Sequence, residues 1–178
     1  MRSALGRILG ACALALTGAG VPVLAQDSST NRVDAMTAWS VFEESAPTKE
    51  CWAVTTYEES VNTKDGRIVS VTRGDIVLMV FYNPEQKISG QVAFTGGYPF
   101  AEGSTVNMRV GASEFELYTN GEWAWPATPQ DDAKMITAMK RGSKAVLTAV
   151  SSRGTTTKDT FSLLGFTAAL EEAENRCK

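Results

Sequence analysis

The stretch from Ser143 to Cys177 limits the possible folds more than any other part of the chain. Ala145, Leu147 and Ala149 alternate with Val146, Thr148 and Val150, the pattern of a strand buried on at least one side. Arg153-Gly154 marks a tight turn, since glycine reaches the positive φ that a hairpin turn needs. A second strand, Thr155 to Leu163, ends at Gly165. Phe166, Ala169, Leu170 and Ala173 then recur at helical spacing, opposite Glu171, Glu172, Glu174 and Asn175. One apolar stripe on a polar helix must lie on a core, so the chain ends on a helix laid against a sheet, closed by Cys177.

The hairpin SSRGTTTKDTFSL, the GFTAAL helix start and the final cysteine resemble the invasion-associated locus B family of Gram-negative envelope proteins. Trp39 followed by Cys51 fits the same pattern, so the resemblance spans Trp39 to Cys177 and is strongest in the last thirty or so residues. Where many members have a further cysteine after the tryptophan, this chain has Phe42 or Glu43. The resemblance implies an exported protein, linked in some members to host-cell invasion, and supplies no catalytic signature.

Residues 1–25 read as a signal peptide. Arg2 and Arg7 precede the apolar run Ile8 to Leu16, and Val23-Leu24-Ala25 is a small-residue cleavage site. The run is too short to span a membrane. Leu9-Gly10-Ala11-Cys12 faintly resembles a lipobox, but the apolar run continues past Cys12, which favours cleavage at Ala25. The whole chain has 17 Lys and Arg against 20 Asp and Glu, and the leader removes two arginines and no acid. An acidic product without a basic run is a poor ligand for nucleic acid. Residues 26–38 read as a flexible polar lead-in, and residues 39–178 as one domain.

Within that domain the strands are short and the turns frequent. Trp39 and Val41, with Glu43, form one face of a strand, and Cys51 to Tyr57 form the next. A loop through Asn62, Asp65 and Gly66 and a short strand over Arg67 to Thr72 follow. The Arg73-Gly74-Asp75 tripeptide matches an integrin-binding motif, but all three are ordinary turn residues and a turn is expected. Ile76 to Tyr82 has no polar face and reads as a central strand covered on both sides. Ile88 to Thr95, Thr105 to Val110 and Glu114 to Thr119 are further strands, and Asn120-Gly121 is a hairpin turn. Thr128 caps a helix that starts at Pro129 with Asp131 and Asp132, ends with Lys140 and Arg141, and buries Ala133, Ile136 and Met139 or Lys140. The pattern predicts a mostly β (α+β) domain. It is an antiparallel sandwich or open barrel of about seven to nine strands, with helices near 129–141 and 165–176.

The chain has no histidine, which removes imidazole acid–base catalysis, Ser-His-Asp and Cys-His nucleophiles, and His-containing zinc sites. No phosphate-binding glycine loop occurs, and no cofactor or metal is expected. Glu43-Glu44, Glu58-Glu59, Asp131-Asp132 and Glu171-Glu172 are adjacent carboxylates, with the helical pairs best read as solvated or dipole-matching charges. Tyr98 and Phe100, in a glycine-rich loop, and Trp123 and Trp125, two apart on one strand, are candidate ligand contacts. The two indoles could stack on a sugar ring but fit the edge of the core better. Cys51 and Cys177 remain after the leader and are expected to pair, since export places them in an oxidising compartment.

Three functions are compatible with this reading. The favoured one is a non-catalytic envelope protein, periplasmic or secreted, acting by binding or structural contact with an envelope or host-surface partner. The others are a periplasmic glycan-binding module built on the four aromatics and a carboxylate-dependent hydrolase.

Overall fold

The structure, a computed structural model, describes residues 31–178. The expected leader, Cys12 and the first part of the lead-in lie outside these residues. Twelve strands form one antiparallel sheet: β1 (Arg32–Met36), β2 (Trp39–Glu44), β3 (Glu50–Thr56), β4 (Glu59–Lys64), β5 (Arg67–Ile68), β6 (Val77–Asn83), β7 (Ile88–Thr95), β8 (Thr105–Val110), β9 (Ser113–Asn120), β10 (Trp123–Trp125), β11 (Lys144–Val150) and β12 (Thr156–Ser162). The helices are α1 (Pro129–Arg141) and α2 (Phe166–Arg176). The strand order is β1-β2-β3-β6-β7-β10-β9-β8-β11-β12-β4-β5, and the sheet does not close. It folds over on itself as a sandwich, so Phe94 of β7 meets Phe161 of β12 edge-on at 6.0 Å.

Twelve strands exceed the expected seven to nine; β1 and β4 escape pattern reading, and β5 and β10 are very short. β1 lies in the expected flexible lead-in, and its pairing with β2 orders Arg32–Met36. β4 falls where a loop was expected, because ESVNTK is polar; its backbone pairs with β12. β5 spans only Arg67–Ile68, and residues 69–76 then cross without regular structure to β6. β10 has three residues.

The inner faces carry Trp39, Val41, Leu78, Val80, Phe94, Met108, Leu117, Leu147 and Phe161, all buried. α2 lies on this inner side, with Phe166 against Trp39 at 4.8 Å between ring centroids. Its entry is held by Gly165 at φ +90°, where an added Cβ falls 1.9 Å from the Met36 carbonyl oxygen. The Trp39 indole donates to the Ser162 carbonyl at 3.0 Å, linking the two ends of the sheet. Cys51 and Cys177 form a disulfide across a sequence separation of 126, with their Cα atoms 5.8 Å apart. The bond pins the end of α2 to β3.

α1 starts as expected, with Thr128 accepting from the Asp131 backbone N–H at 3.2 Å. Its buried stripe is Asp132, Met135 and Met139, not Ala133, which is exposed. The stripe is rotated because α1 fills a gap in the sheet. β10 ends at Trp125, leaving the edge of β7 unpaired beyond Phe94, and Asp132 accepts the Val92 N–H there at 2.8 Å. Asp132 is therefore a strand cap as well as a helix-start charge.

Candidate functional site

Alternation along each strand sends every second side chain away from the core, and here the outward set of five neighbouring strands is rich in apolar side chains, with Ser40, Thr56, Gln91 and Thr95 interspersed. In one cross-strand row Phe42 pairs with Trp52 and Trp52 with Phe81. In the next, Val54 pairs with Met79 and Met79 with Ala93. In a third, Val77 pairs with Thr95 and Thr95 with Trp123, while Trp125 pairs with Tyr118 of β9. Phe42 and Trp52 stack with rings 2° from parallel and centroids 5.5 Å apart. Trp123 is 40% exposed and Tyr118 50%. Thr95 is buried, but none of the apolar side chains named here belongs to the buried core cluster.

Two sequence expectations are corrected by this face. The run Ile76 to Tyr82 is central, but among the described residues it is fully covered only on the side of Leu78, Val80 and Tyr82; Val77, Met79 and Phe81 are partly buried. An apolar run marks both faces as hydrophobic but does not say that a second layer exists within the same chain. Trp123 and Trp125 share a side as predicted, but the buried residue between them is Ala124, so the indoles face outward rather than filling the core edge.

The other two aromatic candidates lie elsewhere. Phe100 is buried, 6.1 Å from Phe94, and Tyr98 stands edge-on to it at 5.2 Å. The Tyr98 hydroxyl shares a hydrogen bond with Thr157 Oγ1 at 2.5 Å, and burial pushes its pKa up. Tyr98 lines a cleft of about 470 Å³ with Ser70, Thr72, Pro99, Glu122, Ser152 and Arg153. The structure thus brings Trp123 and Trp125 together, and Tyr98 and Phe100 together, but does not join the two pairs into one aromatic site.

Arg73 forms the floor of this cleft. Instead of the expected turn, its side chain runs inward: Nη1 and Nη2 bond Asp159 at 2.8 and 2.5 Å, Nη1 also reaches Ser60 Oγ, and Nε bonds the Gly96 carbonyl at 2.7 Å. The guanidinium lies 5.0 Å from the Tyr98 ring centroid. The arginine of the Arg-Gly-Asp tripeptide is therefore a core group unavailable to a receptor.

The paired carboxylates diverge. Glu43 meets Arg176 of α2 at 3.0 Å, and this hydrogen bond holds its carboxyl below the usual range. Glu44 accepts from Asn31, Glu58 pairs with Lys144, Glu172 with Arg176, and Asp131 with Lys134. Burial raises the Asp132 carboxyl to about 6, partly offset by the Val92 N–H. Among the described residues no cluster of His, Cys, Asp and Glu could hold a metal ion, and no helix is long and apolar enough to cross a membrane.

A family model described as invasion associated locus B (IalB) protein matches residues 39–174. The crystal structure of invasion associated protein b from Bartonella henselae is similar in fold. Its TM-score is 0.53 at 15% sequence identity, with 79% of this chain and 94% of that chain covered. No curated protein matches the chain.

Proposed function

Because the chain belongs to the invasion associated locus B family, we propose that it is an exported, non-catalytic envelope protein that acts by contact through the outward face of β2, β3, β6, β7 and β10. The observation that carries this reading is the apolar face itself, which no other described element covers. Side chains that a folded domain could bury or replace by polar ones are instead kept together in three registered rows. Monomeric proteins rarely keep such a patch without a partner for it. The leader read at residues 1–25 and the Cys51–Cys177 bond both support passage to an oxidising periplasm or the exterior. Of the adjacent carboxylates read from the sequence, Glu43, Glu58, Asp131 and Glu172 each meet a cation and Asp132 accepts the Val92 N–H, which argues against the hydrolase alternative at those pairs.

The test is affinity capture from envelope extract with the mature domain, beside a variant carrying Met79→Asp and Trp123→Ser. Contact through this face predicts a partner retained by the natural domain and lost from the folded variant. Equal retention by both overturns the reading.

A further inference from the structure

The apolar face has a charged frame that restricts what can cover it. Glu44 and Glu50 pair at the β2–β3 end of the outward side, and Glu114 and Glu116 extend the outward side of β9 beyond Tyr118. Glu122 sits in the turn before Trp123. None of these carboxylates has a cationic partner among the ion pairs of the described residues. On the strands Arg32, opposite Phe42, and Arg109, opposite Glu114, share this side; at its margin Lys134 and Arg141 of α1 line clefts with Glu114, and Arg153 lines the Tyr98 cleft with Glu122. The centre is uncharged and the frame is mainly acidic, so we infer that the face docks a partner polypeptide whose apolar residues are flanked by lysine or arginine. A second copy brings the same acidic frame, and an anionic lipid surface is repelled by it. Charges at the rim of an interface set encounter and partner choice, while the uncharged centre supplies affinity.

This deepens the contact reading and rests on it, yet the two fail separately. Three of the four tryptophans, Trp52, Trp123 and Trp125, lie on the face, so their emission reports occupancy directly. The probe is a short synthetic peptide with lysine pairs at both ends and alternating leucine and threonine between them. Its twin ends in glutamate pairs. The lysine peptide is expected to shift the emission of the mature protein to the blue and the glutamate twin to leave it unchanged. Trp123→Ala, at an exposed position that the fold does not need, is expected to weaken binding about tenfold, as is the double change Glu114→Lys, Glu116→Lys. Equal binding of both peptides overturns the charge assignment while leaving contact through the face standing. An unchanged affinity in Trp123→Ala overturns the face as the site. Concentration-dependent dimers lost in Trp123→Ala assign the face to a second copy instead. An emission shift with an N-acetylglucosamine oligosaccharide but neither peptide assigns it to a saccharide. Each of these last two results contradicts the inference.

Discussion

Arg73 and Asp159 meet inside the sandwich as a two-pronged ion pair, with the arginine side chain 6% exposed and the aspartate fully buried. The pair ties the irregular crossing at residues 69–76 to β12, on the far side of the sheet order from β6. Nη1 also donates to Ser60 and Asn62, and Nε to the Gly96 carbonyl, so the buried guanidinium is held by fixed partners besides Asp159. Removing one partner leaves the other buried and unpaired. Arg73→Ala and Asp159→Ala are each expected to cost about 3–5 kcal/mol, whereas Arg153→Ala at the cleft rim stays within about 0.5 kcal/mol. Urea unfolding of the three variants checks this.

Asp132 gives the stability a distinct pH dependence. Its folded carboxyl titrates at about 6, above the ordinary 3.8. Between those values the folded state holds a proton that the unfolded chain has lost. Stability contributed by the neutral carboxyl is thus present below about 4 and is lost as pH rises through 6. Asp132→Asn keeps an oxygen for the Val92 N–H without the buried charge. At pH 7 it is expected to be at least as stable as the natural protein, and its denaturation midpoint should lack the decline from pH 4 to 6. Asp132→Ala leaves the Val92 N–H without an acceptor and should cost about 1–3 kcal/mol.

The disulfide closes a loop with a sequence separation of 126. In the chain-entropy model a loop of that order contributes at most about 4–5 kcal/mol. Cys51→Ser with Cys177→Ser should lower the melting temperature and speed amide exchange first in α2, leaving β6 and β7 protected. Exchange accelerated evenly through the sheet would contradict the role given to the bond.

The tryptophans divide into one core residue and three on the surface. Trp39 is 1% exposed, donates to Ser162 and packs on Phe166. Trp39→Ala is expected to cost about 3–5 kcal/mol. Trp123→Ala should cost less than about 1 kcal/mol, because its loss opens no cavity. Guanidinium unfolding that ranks the two alike would place Trp123 in the core.

Much of this architecture is written in local patterns. The hairpin at Arg153-Gly154, the cap at Thr128, the stripe of Phe166, Ala169, Leu170 and Ala173, and the pairing of Cys51 with Cys177 follow from spacing, turn chemistry and compartment. β4 was not legible because ESVNTK has no apolar alternation; its pairing comes from β12, nearly a hundred residues later. The burial of Arg73 was hidden for the same reason, since Asp159 supplies it from a distant strand. The outward face was half legible. The apolar run from Ile76 and the Trp-Ala-Trp spacing were visible, but which side the core takes is decided by register with Val54, Ala93 and Thr95. The one informative signal was the small Ala124 between two indoles, which suits a crowded interior better than either tryptophan does.

Contact through the outward face is tested most directly by a photoreactive amino acid placed at position 123 in the full chain, expressed in the cells that make it. The control carries the same group at Lys158, an exposed position on β12. Irradiation is expected to give a discrete envelope-fraction adduct from position 123 and none from position 158. Adducts of equal yield from both positions, or from position 158 alone, would contradict the account.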